Sequence, residues 1–290
     1  MTTSSLRRRR TTLLDGTAVA AGLRARAAAQ AARVTAATGQ APTLATLQVG
    51  EDPASIVYLA ALHRAARDVG IHGLPRRLPV NADQVDVAAV LDALAVDPDV
   101  HGILLQLPLP THLDSADLID RIPANKDIDG LTSTNAGLLT QGQPALQPGT
   151  PLGVIALLDA ANIPLRGTRV VVVGWGRAVG RPLAQLLLHR GATVTVAHKD
   201  TRDLPAVTRT AEVLIVAAGV PGLIGTAHVA PGATVIDVGM HRTAAGLVGD
   251  VRAAEIDGVA ARRTPVPGGV GPMTIAMLLG NVLRAAEASG

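Results

Sequence analysis

Cysteine is absent from this chain of 290 residues, and aromatic residues are almost absent, with one tryptophan, one tyrosine and no phenylalanine. The lack of cysteine excludes disulfide bonds, thiolate metal ligands and thiol catalysis, and we expect no metal site. The hydrophobic core has to be built from Val, Leu, Ile and Ala. Any function that needs a phenol depends on Tyr58, and any that needs an indole depends on Trp175.

Long apolar runs are also missing, because no segment reaches the roughly 18 uninterrupted apolar residues of a membrane span. The formal charge is +3, and the only dense basic run is Arg7 to Arg10. Asp15-Gly16 interrupts the apolar segment after it, so a basic tail is favoured over an export signal. Nucleic-acid binders usually concentrate positive charge and add stacking aromatics. We therefore expect a cytoplasmic protein without nucleic-acid or membrane partners.

The N-terminal half alternates between helix and strand patterns. An Ala-rich segment at 17–38 predicts a helix, and the alternation at 43–49 predicts a strand. Residues 55–69 show helical periodicity, with Val57, Ala61, Ala65 and Val69 on one face. A further helix is predicted at 85–95 and a short strand at 102–107. The Pro- and Gly-rich segment 141–151 marks a boundary.

The C-terminal half repeats a strand–helix pattern that begins with the β-branched run Val170–Val173. Such a run is typical of a parallel strand that is covered on both faces. Further strands are predicted at 193–197, 213–217 and 234–238, so a doubly wound parallel sheet is expected over 150–265. The predicted fold class is therefore α/β with two domains, 1–148 and a Rossmann-type domain at 149–272. A C-terminal helix at 273–290 is expected to complete the first domain.

A glycine pattern, Gly174-x-Gly176-x-x-x-Gly180, follows the first of these strands and opens a helix. Glycine lets the backbone approach a pyrophosphate, and the helix N-terminus supplies free N–H groups. The last glycine comes one residue later than in the commonest fingerprint. A tight turn without a ligand is the alternative, but the repeated strand–helix context favours a dinucleotide site.

The end of the second strand carries His198-Lys199, where an NAD site usually has an acidic residue for the ribose hydroxyls. Two potential cations, joined by Arg177, favour the 2′-phosphate of NADP on charge complementarity. Asp200 argues for NAD, and a solvated loop is the simplest alternative for His198-Lys199. The sequence therefore predicts NADP, with NAD as the less favoured cofactor.

Four segments go beyond a generic dinucleotide-binding fold. They are GEDPASIVY at 50–58, QLPLP at 106–110, KDIDG at 126–130 and PVPGGVGPMT at 265–274. In this order and spacing they closely resemble the bifunctional methylenetetrahydrofolate dehydrogenase/cyclohydrolase family. The resemblance runs from about Leu14 to Leu283.

The resemblance implies hydride transfer from methylenetetrahydrofolate to NADP, followed by hydrolysis of the methenyl product, in a cleft between a folate-binding α/β domain and a Rossmann domain. It implies that Tyr58 stacks on the folate, that Gln106 helps orient a catalytic Lys, and that Asp129 binds the pterin. It implies a homodimer with the turn Pro267-Gly268-Gly269 at the folate pocket. The cofactor positions are Thr150, Gly174, Trp175, Gly176, Arg177, Val179, His198, Lys199, Gly219 and Met240.

One position departs from the family pattern. Four residues after the Tyr the family has Lys, and this chain has Leu62. Leucine cannot donate, accept or ionise, so weak or lost cyclohydrolase activity is expected, with Leu62 as a substrate contact. His63 points about 100° away on the helix, so replacement of the Lys by His63 is the less favoured alternative. Trp175 is a second departure: its indole could stack on adenine, obstruct the pyrophosphate or pack on the neighbouring loop.

Three functional hypotheses follow. The first is an NADP-dependent methylenetetrahydrofolate dehydrogenase, because hydride transfer depends on positioning more than on a proton relay. The second is a repurposed oxidoreductase acting on another cyclic aminal or imine, in which Leu62 enlarges an apolar contact. The third is a non-catalytic protein that binds folate or a dinucleotide. Folate binding argues against the second hypothesis, and any turnover excludes the third.

Overall fold

The structure of the protein is a computed structural model that describes residues 10–244 and 246–289. Arg7 to Arg9 of the predicted basic tail lie outside the described residues. The chain forms two compact units. One, here called the sheet unit, comprises the N-terminal segment through Val19 together with Val154–Met273. The other, here called the helix-rich unit, comprises Ala20–Gly153 and the segment from Thr274 onward.

Eleven strands and ten helices are numbered here in chain order over the described residues. The strands are β1 Thr12–Leu13, β2 Thr43–Val49, β3 His72–Leu78, β4 Gly102–Leu105, β5 Arg169–Val173, β6 Thr193–Ala197, β7 Val213–Val216, β8 Thr234–Asp237, β9 His241–Thr243, β10 Gly246–Val248 and β11 Arg262–Arg263. The helices are α1 Gly16–Thr38, α2 Pro53–Asp68, α3 Gln84–Val96, α4 Ser115–Asp120, α5 Ser133–Thr140, α6 Gly149–Ala160, α7 Gly180–His189, α8 Leu204–Thr208, α9 Ala253–Ile256 and α10 Val270–Ser289.

The helix-rich unit is built on a three-stranded parallel sheet in the order β3-β2-β4. The strand predicted at 43–49 is present as β2, and all seven of its residues are buried. The strand lies between two others, and such a position is covered on both faces. Thr46 and Gln48 are therefore buried polar side chains.

Helix α2 begins where the Asp52 carboxylate accepts a hydrogen bond from the backbone N–H of Ser55, at 2.8 Å. This is a standard N-terminal cap. Of the residues predicted on one face, Val69 is buried and Ala61 and Ala65 are half-buried, whereas Val57 is exposed. Leu59, Leu62 and Ala66 are also buried, and they follow the i, i+3, i+7 spacing of a core-facing stripe. The helix turns its leucines inward because they bury more apolar area than alanine does.

The sheet unit contains a six-stranded parallel sheet in the order β1-β11-β8-β7-β5-β6. The predicted doubly wound α/β fold class is confirmed. Strands β1 and β11 have two residues each, too few for a readable pattern. Strand β3 was also missed because Pro75 and two arginines break its apolar pattern, which is tolerated on an edge strand.

None of the helices in the described ranges is both long and apolar enough to cross a membrane.

Candidate active site

Three elements of the helix-rich unit bring the predicted folate residues together. Tyr58 lies on α2, Gln106 follows β4, and Asp129 lies in the loop after Lys126. The backbone N–H of Ile103 donates to the Lys126 carbonyl at 2.7 Å, which anchors that loop beside β4. The three residues are far apart in the sequence. The sheet brings them together, because parallel strands place their carboxyl ends at one edge.

Gln106 connects the end of β4 to α2. Its Nε2 donates to the Leu107 carbonyl at 2.6 Å and to the Ser55 hydroxyl oxygen at 3.4 Å. Its Oε1 is buried without a hydrogen-bond partner among the described residues. An unpartnered buried carbonyl is costly and needs an explanation. Here it marks a place where a hydrogen-bond donor is missing.

Asp129 is partly buried, and none of the described residues hydrogen-bonds to its carboxyl group. Its neighbour Asp127 is fully engaged, accepting from the Thr132 N–H at 2.8 Å and from Asn135 Nδ2 at 2.9 Å. Burial, together with the charge of Asp127, raises the pKa of Asp129 to about 7. The Asp129 carboxyl is thus available for a ligand that brings its own donors.

Tyr58 is held close to Asp129. Burial, and secondly the negative charge of Asp129, raises the pKa of the Tyr58 phenol. The phenol therefore stays neutral at physiological pH and presents an aromatic face with a polar tip. Its ring packs against the apolar cluster that contains Leu62 and Ile128.

Leu62 has no exposed surface and lies in an apolar cluster. Its buried partners in that cluster include Leu44, Leu104, Ile128, Leu278 and Val282. His63 leaves this face, because its Nε2 pairs with the Thr46 hydroxyl at 2.8 Å. Nothing at position 62 or 63 thus brings a cation to the Tyr58 side of α2.

The turn Pro267-Gly268-Gly269 belongs to the sheet unit. The Thr17 N–H donates to the Gly268 carbonyl at 3.1 Å. Gly268 has φ +102°, and a Cβ on Gly269 would lie 2.5 Å from the Pro265 carbonyl oxygen. Both positions therefore require glycine, and the turn has a defined shape.

The glycine pattern after β5 brings three backbone segments into close contact. A Cβ on Gly174 would lie 2.1 Å from the Ala217 carbonyl oxygen at the end of β7, and a Cβ on Gly180 would lie 2.1 Å from the Gly174 oxygen. Strand β5 has β6 on one side and β7 on the other, and nucleotides bind at the strand ends where chain order reverses in this way.

The start of α7 fits a pyrophosphate. Val179 precedes the helix and forms no side-chain cap. A helix N-terminus of this kind suits an anion such as a pyrophosphate. The Trp175 indole is 43% exposed, and the Arg181 guanidinium lies 5.6 Å from its ring centre and donates to its carbonyl. Trp175 thus lies against Arg181 of α7, and its predicted role at the cofactor stays a prediction. Gly176 differs from the other two glycines, because a Cβ added to it would have no atom of another described residue within 4 Å apart from its chain neighbours.

The loop after β6 carries the predicted 2′-phosphate residues. Lys199 is exposed and has no ion pair among the described residues, whereas His198 Nδ1 lies 3.7 Å from Asp200.

The other predicted cofactor residues lie outside this loop. Arg177 is half-buried, and Met240 is exposed. Thr150 lies in the helix-rich unit, where its hydroxyl contacts that of Thr274 at 2.9 Å. The glycines, the uncapped helix and Lys199 together fit a phosphorylated dinucleotide.

Asp250, which no sequence motif indicated, shapes the loop at Gly219. This aspartate is fully buried, and its Oδ2 accepts from the N–H groups of Ala218 and Gly219 at 2.7 and 2.9 Å. Its Oδ1 pairs with His241 Nε2 at 2.7 Å. A single Asp after a short strand has no pattern that reveals such contacts, because its partners lie 31 and 32 residues away.

A two-unit α/β protein with a Rossmann-type sheet and a separate polar site on α2 is thus defined. Residues 14–129 match the catalytic-domain model of tetrahydrofolate dehydrogenase/cyclohydrolase, and residues 148–290 match its NAD(P)-binding-domain model. The chain therefore belongs to this family, as its motifs predicted.

Relatives and solved structures are similar to this chain over nearly its whole length. "Bifunctional protein FolD 2" of Frankia alni is 56% identical over 277 residues, covering 96% of both chains. The bifunctional FolD crystal structure from Campylobacter jejuni is 41% identical, with TM-score 0.93 over 96% of this chain and 99% of that one. The Trypanosoma brucei enzyme, complexed with NADP cofactor and an inhibitor, is 34% identical, with TM-score 0.92 over 97% and 98%.

Proposed function

We propose that the protein is an NADP-dependent 5,10-methylenetetrahydrofolate dehydrogenase whose methenyltetrahydrofolate cyclohydrolase activity is weak or lost. The names of the relatives and the fit of both sites support the dehydrogenase. One observation supports the weak or lost cyclohydrolase activity. Leu62 is fully buried among apolar side chains, while Gln106 Oε1 has no hydrogen-bond donor among the described residues. In the family a Lys stands at the position of Leu62.

The dehydrogenase step requires positioning rather than proton transfer. A hydride leaves the one-carbon bridge, and the folate nitrogens stabilise the resulting methenyl cation. NADP, when bound, supplies the acceptor for this hydride. The Asp129 carboxyl accepts hydrogen bonds from the pterin, and Tyr58 provides an aromatic surface for the folate. Both roles rest on burial and on the finding that no described residue hydrogen-bonds to the Asp129 carboxyl.

Hydrolysis of the methenyl cation requires water to attack carbon and a proton to be removed. Leucine has no polar atom for either purpose. His63 is bound to Thr46 and lies on another face of α2. A buried apolar residue beside the site also excludes the water that a Lys would order.

The cofactor side of the proposal assigns the glycine turn to the pyrophosphate and Lys199, with His198 and Arg177, to the 2′-phosphate. Gly219, Val179, Trp175, Met240 and Thr150 complete the predicted cofactor set. The turn Pro267-Gly268-Gly269 is assigned to the folate. A homodimer and a cytoplasmic location belong to the same proposal and rest on family resemblance.

The test is an absorbance assay of purified protein with methylenetetrahydrofolate and either NADP or NAD. Reduced nicotinamide and methenyl product are followed together in the neutral reaction without acid quenching, because acid would cyclise any formyl product back to the methenyl compound. The proposal predicts equal amounts of both products and faster turnover with NADP. A folded protein that forms neither product with either cofactor would contradict it.

A further inference from the structure

A pocket lies in the helix-rich unit between α2, β2 and β3, with a volume of about 730 Å³. This is within the usual size of small-molecule sites. It is distinct in position from Tyr58 and Leu62: on α2 it is lined by Leu59, His63 and Arg67. At 100° per residue, those side chains point roughly 100–180° away from Tyr58.

The charged residues that line this pocket are all arginines, so its charge is positive. Four arginines line it from two elements, Arg64 and Arg67 on α2 and Arg76 and Arg77 on β3. No aspartate or glutamate is among the described residues that line the pocket. None of these four guanidinium groups forms an ion pair in the described part of the chain, whereas Arg121, for example, pairs with Asp92 at 2.8 Å.

Two of the arginines, Arg67 on α2 and Arg77 on β3, lie on the same side of the sheet as Gln48. Arg77 pairs in register with Gln48, whereas Arg76 is on the opposite face of β3. Burial, followed by the charges of Arg67 and Arg77, lowers the pKa of His63, so guanidinium groups from α2 and from β3 both lie near one ring. That ring is packed so closely on Gly73 that a Cβ there would lie 2.3 Å from His63 Nδ1. Concentrated like charge in a concave site is unfavourable unless an anion neutralises it.

The inner wall contains a polar group with an unused acceptor. Gln48 pairs in register with Arg77 across the sheet, lines the pocket and is 3% exposed. Its Nε2 donates to the Gly50 carbonyl at 3.0 Å, and its Oε1 has no partner among the described residues. A ligand with an N–H or O–H group at this end would satisfy that oxygen.

We propose that this pocket binds a small, multiply charged anion, in which two or more phosphate or carboxylate groups pair with Arg64, Arg67 and Arg77. Guanidinium groups bind both kinds of group through paired hydrogen bonds. The site goes beyond the proposed dehydrogenase, because it lies on a different face of α2 from Tyr58. The source of the anionic groups is decided by comparing two probes.

The test is calorimetric titration of the full chain with inorganic tripolyphosphate and, separately, with a γ-linked glutamate trimer. Both are titrated at low salt and in the presence of saturating NADP, so that the dinucleotide site is already filled. We expect one saturable site for at least one probe, with an affinity that falls as salt is added. The tighter probe identifies phosphate or carboxylate as the natural group.

Two double variants separate the pocket from general charge. Arg67→Gln with Arg77→Gln should weaken binding about tenfold or more, because two charged hydrogen-bonding groups are lost. Arg26→Gln with Arg33→Gln removes the same charge from α1, outside the pocket, and should change affinity by less than about twofold. All four arginines are exposed, so the variants should fold. Equal weakening in both pairs, or no saturation with either probe, would overturn the proposal.

Discussion

Gln106 Nε2 donates to the hydroxyl of Ser55 across 3.4 Å, joining the end of β4 to the first turn of α2. The other end of the same amide, Oε1, is buried without a donor. One helical turn beyond Tyr58, Leu62 fills apolar space where the family has a Lys. The proposed weakening or loss of cyclohydrolase activity rests on the unused oxygen and the buried leucine together.

Leu62→Lys should restore or raise methenyltetrahydrofolate hydrolysis, because it returns a donor to the Tyr58 side of α2. Burial among Leu44, Leu104 and Ile128 should destabilise the folded chain and lower the pKa of the new lysine. The measurement is the hydrolysis rate together with the thermal midpoint. Leu62→Met is the control, since it keeps apolar volume and adds no charge. A folded, folate-binding Leu62→Lys protein without hydrolysis would show that the pocket differs in more than this side chain.

Asp129→Asn should make the protein more stable near neutral pH and weaken folate binding. A carboxyl whose pKa is higher in the folded chain binds more protons when folded, so its contribution to stability falls as pH rises. The window runs from its ordinary value of 3.8 to about 7. Denaturant midpoints of the two proteins should agree near the lower limit and diverge above it.

The same Asp129→Asn change should reduce dehydrogenase kcat/KM by at least about tenfold, since a charged acceptor for the pterin is replaced. Unchanged activity would remove Asp129 from the folate site, and a pH-independent stability difference would contradict its raised pKa.

Lys199→Gln should lower kcat/KM for NADP by about tenfold and leave that for NAD within about twofold, because only NADP carries the 2′-phosphate. Arg202→Gln, another exposed cation that follows β6, is the matched control. The measurement is initial rates with both cofactors. An equal loss with NADP and NAD would mean that Lys199 does not recognise the 2′-phosphate.

Asp250→Ala should lower the free energy of unfolding by roughly 2–5 kcal/mol, because the N–H groups of Ala218 and Gly219 lose their acceptor in a buried place. It should also raise the KM for NADP, since the loop at Gly219 loses its support. Asp250→Asn keeps one oxygen for both N–H groups and should lie closer to the wild type. Urea unfolding and NADP kinetics measure the two effects, and identical behaviour of Ala and Asn variants would contradict this account.

Much of the fold could be predicted from local pattern. The β-branched run of β5 and the helices α1 and α3 agree with their predicted positions within a few residues. The two-residue strands β1 and β11 could not be predicted, because their pairing depends on a register set by residues about 250 positions apart. The division into domains at residue 148 stays a prediction.

The candidate site was less predictable than the fold. Motifs identified Tyr58, Gln106 and Asp129 as a group, and their roles remain predictions. The apolar periodicity of α2 did not show that Leu59, Leu62 and Ala66 form its buried face, because it did not weigh leucine against alanine. Asp250 and the arginine pocket depend on which side chains the sheets bring together, and no sequence spacing encodes that.

The most direct test of the central claim is the decay of methenyltetrahydrofolate, measured with and without the wild-type protein, after the dehydrogenase has been shown to be active with NADP. The account predicts that the protein accelerates this decay little or not at all compared with buffer alone, and far less than it catalyses the dehydrogenase step. Hydrolysis that keeps pace with the dehydrogenase step would contradict it, and would require another group of this chain to activate water despite Leu62.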